Sequence, residues 1–62
     1  MIAQITGIVI DKDEKGVVID NNGIGYLVFM TPIDMPMIGD SVTILTVFVV
    51  REDAQELYGF TN

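Results

Sequence analysis

The chain has 62 residues, half of them hydrophobic, with three basic and nine acidic side chains and neither cysteine nor histidine. A single domain of this size buries only about 60% of its unfolded surface and usually needs a staple or a partner; here disulfides, thiolate sites and the usual neutral-pH proton shuttle are excluded. The formal charge of −6 argues against unaided nucleic-acid binding, which draws most of its affinity from clustered Lys and Arg.

In chain order, "IAQITGIVI" (residues 2–10) reads as a strand with apolar positions on both faces, and Gly7 is the least costly place for a bend or bulge. The run also lacks a basic leader and a small-residue cleavage site, and no apolar run approaches the roughly 18 residues of a membrane span. A cytoplasmic protein with no membrane partner is expected. "DKDEKG" (11–16) is a charged turn into the strand "VVID" (17–20), and "NNG" (21–23) is a strong hairpin signal because Asn and Gly tolerate positive φ. "IGYLVFM" (24–30) is the returning strand. "TPIDMPMIGD" (31–40) reads as a loop with one short helical turn, Thr31 before Pro32 fitting an N-cap followed by proline.

"SVTILTVFVVR" (41–51) is the longest strand. Val42, Ile44, Thr46, Phe48 and Val50 share one face; the other starts polar at Ser41 and Thr43 and turns apolar at Leu45, Val47 and Val49. Fully extended it would span about 36 Å, whereas a sphere with the expected radius of gyration of about 10.6 Å is only about 27 Å across. The strand must wrap around a barrel or protrude from it, and its far end, "REDAQ", is a tip from which "ELYGF" (56–60) returns. Five to six short strands with one proline-bearing loop predict an all-β domain, a small OB-fold-like barrel.

Several residue groups have competing readings. Glu52 and Asp53 form the sharpest knot of charge, suited to projecting a field outward from an over-long hairpin; the alternatives are a solvated turn or a catalytic carboxylate pair. "DKDEKG" places Asp11, Asp13 and Gly16 at three positions of a calcium loop, but Lys15 and the flanking strands depart from it, which favours an ordinary turn. The five aromatic residues could build a base-stacking platform, although core packing suits most of them better. Four methionines, three between Met30 and Met37, suit gap-filling under the loop. "GIGYLV" continues as strand, so it is no phosphate loop, and no cofactor is expected. Leu45, Val47 and Val49 form a candidate oligomer interface, the alternative being a strand buried on both faces.

The segment "FVVREDAQELYGF" (48–60) resembles the signature of the N-terminal domain of the RuvA family, the bacterial Holliday junction branch-migration subunits. "MIAQITGIVIDK" and "NNGIGYLVFM" fall where that family has a Met-Ile strand and a Gly-x-Gly-Tyr strand. The resemblance covers the whole chain and implies an OB-fold-like barrel in a non-catalytic homotetramer. Such a tetramer holds four-way junction DNA open and square during recombination and repair, with a RuvB-type ATPase as motor. In that family the carboxylates of the Arg-Glu-Asp hairpin form an acidic pin at the tetramer centre, and Glu52 and Asp53 match that motif. The family's main duplex contacts come from helix-hairpin-helix motifs in a following domain, and a third domain engages the ATPase. Residues 1–62 therefore read as the first domain alone, with weak junction binding of its own. Val47 stands where the family often has His, and Gln4 and Thr6 stand where it often has basic residues, so DNA contacts by those side chains are not implied here. The rival reading is a stand-alone OB-fold module that binds a protein or small ligand.

Overall fold

A computed structural model describes residues 1–60. Five strands, β1 (Gln4–Lys12), β2 (Gly16–Asn21), β3 (Ile24–Phe29), β4 (Ser41–Val50) and β5 (Gln55–Phe60), form the domain. They close into a barrel in the order β1-β2-β3-β5-β4, antiparallel at every seam except the short parallel pairing of β3 with β5. The expected all-β, OB-like architecture is present. Strand alternation explains the core: Ile5, Val9, Val17, Ile19, Val28, Ile44 and Leu57 point inward, and Met30 joins them from the end of β3. Thr46 lies among them, its hydroxyl donating to the Ile2 carbonyl at 2.8 Å, so the one buried polar residue among the described residues has its partner.

The β2–β3 hairpin turns through Asn22 and Gly23, with φ of 51° and 89°. Two successive positive φ values match the right-handed strand twist, which is what "NNG" predicted. β1 runs on through Asp11 and Lys12, which sequence reading assigned to a turn. Its bulge falls between Val9 and Asp11 rather than at Gly7, and beyond it Asp11 and Lys12 pair with Val18 and Val17. Gly7 has a different task. A Cβ there would run into the Asp20 carbonyl oxygen and stand 2.8 Å from Ile19 Cγ2, at the place where β1 passes from β4 to β2. The close approach of two backbones, not a bulge, requires glycine.

The 31–40 loop contains no helix. Its expected helical turn is one hydrogen-bonded turn, in which the Asp34 amide donates to the Thr31 carbonyl at 3.0 Å. The loop is anchored to the β1 bulge by Val9 N to Asp40 O at 3.0 Å and Gly39 N to Val9 O at 2.7 Å. Of the loop methionines, Met30 and Met35 pack into or against the core while Met37 is exposed.

Candidate functional site

β4 meets both demands of its length. Ser41 to Leu45 pair with β1, Leu45 to Val50 pair with β5, and Leu45 is shared by the two seams. β5 in turn pairs with β3 only at Leu57 and Tyr58. The pairs Val49–Glu56 and Val50–Gln55 therefore have no third strand beside them, and this two-stranded ribbon extends past the barrel wall. Val50 shows the consequence: it shares the inward parity of Ile44 and Thr46 but is 63% exposed, because no core lies beneath it.

The tip is closed by the Arg51 amide donating to the Ala54 carbonyl at 2.7 Å. Glu52 and Asp53 stand exposed at its apex. The Arg51 guanidinium turns back towards β5, 3.7 Å from Glu56 Oε1, where the Tyr58 hydroxyl also donates at 2.8 Å. The nearest cation thus serves Glu56, and among the described residues neither Glu52 nor Asp53 has an ion-pair or hydrogen-bond partner. The hydrogen bond to Glu56 raises the Tyr58 phenol above its usual pKa, helped by slight desolvation and the Glu56 charge, while Arg51 pulls it down.

The outer face of β4 carries Leu45 and Val47, 44% and 50% exposed, with Val49 half-buried beyond them. The alternative of a strand buried on both sides does not hold for Leu45 and Val47. β5 extends this face, since Phe60 lies opposite Leu45 and Tyr58 opposite Val47. Sequence reasoning placed most rings in the core. Only Tyr26 and Phe48 pack there; Tyr58 and Phe60 are exposed, and the Tyr58 ring lies 5.6 Å from that of Phe29 at 38°. The missed signal was the register of "ELYGF", in which the small inward Gly59 forces both aromatic neighbours outward.

A groove of about 530 Å³ opens beside this ring pair, lined by Lys15, Phe29, Met30, Thr31, Glu56 and Tyr58 among others. Lys15 reaches it because the β1–β2 turn docks on the end of β3, Met30 N donating to Lys15 O at 3.0 Å. In that turn Asp13 Oδ1 accepts from the Lys15 and Gly16 amides at 2.8 and 3.1 Å, so this carboxylate shapes the backbone. Gln4 and Thr6 are exposed on β1, and the Thr6 and Thr43 hydroxyls are hydrogen-bonded at 2.9 Å.

Comparison with known proteins adds an independent line. Residues 1–59 match the family described as the RuvA N-terminal domain. The whole chain is 51% identical to a Holliday junction branch migration complex subunit RuvA of Francisella tularensis subsp. novicida, of which it covers 30%. It is 48% identical over 97% of its length to the protein of that name from Methylobacillus flagellatus, covering 32% of it. The corresponding figures for Acidovorax ebreus are 44%, 97% and 33%. The chain thus spans about a third of the length of these relatives.

Proposed function

The chain belongs to the RuvA N-terminal domain family, and from that premise we propose that it is the oligomerising, acidic-pin module of a Holliday junction recognition protein. It acts in the cytoplasm, in branch migration during recombination and repair, and does no chemistry itself. The duplex arms are gripped by helix-hairpin-helix motifs outside residues 1–62, and a RuvB-type ATPase, engaged through a further domain, supplies the motor.

One observation carries this reading: a ribbon without lateral neighbours ends in Glu52 and Asp53, whose nearest cation is engaged elsewhere. An unneutralised pair of carboxylates at a projecting apex repels phosphate. Two like charges about 4 Å apart repel by roughly 1 kcal/mol in water and about 4 kcal/mol near a protein surface. Four copies of the tip around one axis would sum this repulsion at the junction centre, keeping the crossover open and guiding strand separation. Leu45, Val47 and Val49 supply the apolar face through which copies associate, since exposed β-branched and leucine side chains in a row are costly for a lone domain. The absence of cations at Gln4 and Thr6 leaves junction affinity to the rest of the protein, so the domain alone binds four-way DNA weakly.

Glu52→Gln with Asp53→Asn in the full-length protein should change branch-migration rate with its ATPase partner while leaving the homotetramer intact. Unchanged branch migration would remove the pin.

A further inference from the structure

The groove at the foot of the tip has a chemistry of its own. Its wall is the Phe29–Tyr58 ring pair, tilted rather than stacked, and Tyr58, at the edge of the Leu45–Val47 face, is 37% exposed in the single chain. Lys15 lines the same groove. Of the three basic side chains, Lys12 donates to the Pro36 carbonyl at 3.4 Å and Arg51 lies against Glu56. The Lys15 ammonium alone has no partner among the described residues. The one acid on the rim, Glu56, lies 3.7 Å from Arg51 and accepts from the Tyr58 hydroxyl. An aromatic face paired with a free cation is the combination that holds single-stranded nucleic acid, the ring stacking a base and the ammonium meeting its phosphate. The volume falls within the range of ligand pockets, about 300–1,000 Å³.

Position supplies the second argument. Glu56 follows Asp53 by three residues, so the groove begins within about 10 Å of the apex along an extended chain. We propose that this groove is a binding site for one unpaired nucleotide, the base stacked on Tyr58 and Phe29 and the phosphate on Lys15. The site deepens the pin reading and rests on it for its biological role: a strand parted at the carboxylates offers an unstacked base within reach of the rings. Repulsion at the apex and capture at its foot would then act on the same strand.

Titration of the 62-residue chain with a short oligodeoxythymidylate, followed by amide NMR shifts, tests the site. Shifts should gather at Lys15, Phe29, Thr31 and Tyr58, and a duplex of equal length should produce none of them. Tyr58→Leu should weaken binding by about tenfold. Lys15→Gln, which keeps the backbone hydrogen bonds of the turn, should reduce the salt slope of log affinity by about 0.7. No shifts at millimolar oligonucleotide, shifts elsewhere, equal response to duplex, or a Lys15→Gln slope matching the parent would each overturn the proposal. The titration uses neither a junction nor the tip carboxylates, so its failure leaves the pin standing. Conversely, a pin variant with normal branch migration would leave the groove's own binding intact.

Discussion

Replacing Gly59 by alanine tests how β5 is seated. A Cβ at this position stands 2.5 Å from Val28 Cγ1 and 2.7 Å from Ile44 Cγ2, whereas carbon contacts are comfortable at about 3.5–4.0 Å. Either β5 or both side chains must give by roughly 1 Å. Val28 and Ile44 are 0% and 2% exposed, and an interior packed at near-crystalline density has no slack to absorb that movement. Overpacking of this kind costs about 1–3 kcal/mol. For a domain of this size a loss of about 2 kcal/mol lowers the melting midpoint by roughly 8–16 °C. Urea and thermal unfolding followed by circular dichroism give both quantities. Adding Val28→Ala makes room for the new methyl group, so the double variant should be more stable than the sum of the two single losses predicts, by about 1 kcal/mol or more. Gly23→Ala is the control: its φ of 89° with open space around it makes its cost one of backbone strain, about 1–2 kcal/mol, which Val28→Ala will not relieve. A Gly59→Ala loss below about 0.5 kcal/mol, or strict additivity with Val28→Ala, would refute the seating of β5 and with it the outward placing of Tyr58 and Phe60.

Thr46→Val removes the hydroxyl that tethers the Ile2 carbonyl and should cost about 1–3 kcal/mol by leaving that acceptor unpaired; an unchanged urea midpoint would show that the amino-terminal segment is held otherwise. Val47→Glu, at a half-exposed position, should shift the sedimentation profile of the full-length protein towards smaller species while moving the domain's own stability by no more than about 0.5 kcal/mol. An unaltered profile would take Val47 out of the interface. The Tyr58 phenol should titrate above the usual value of about 10 in ultraviolet difference spectra and fall back in Glu56→Gln, since the Glu56 hydrogen bond is the main cause of the rise. Because the folded-state pKa is raised, the stabilising contribution is present below about pH 10 and is lost as pH rises through the folded value. A Tyr58 titration unmoved by Glu56→Gln would contradict the Arg51–Glu56–Tyr58 arrangement.

The tip was legible because it follows from a length: ten strand residues from Ser41 to Val50 cannot stay inside so small a barrel, and the observed radius of gyration of 10.8 Å leaves the far end outside. The hairpin at Asn22–Gly23 was legible because positive φ has few tolerant residues. Asp11 and Lys12 mislead because charge suggests a turn, whereas the bulge after Val9 lets β1 continue with Asp11 exposed and Lys12 half-buried. The rings misled for a related reason. In "ELYGF" Glu56 is the one charged residue on the face that carries both rings, a weak marker of the outward side, and the pairing of Gly59 with the buried Thr46 sets which side is in. The groove was not legible at all, since Lys15, Phe29 and Tyr58 come from three separate segments that meet only when β3 and β5 pair in parallel.

As proposed, Glu52 and Asp53 act by repelling phosphate at one point. In the proposed tetramer a continuous duplex across the centre would meet that repulsion, and an open four-way junction would avoid it. The most direct measurement is the ratio of four-way-junction to linear-duplex affinity across a salt series, for full-length tetramer with and without Glu52→Gln and Asp53→Asn. Neutralisation should strengthen linear-duplex binding, lower the ratio, and do so most at low salt, where screening is weakest. A ratio unchanged at every salt concentration, with the tetramer intact, would contradict the proposal.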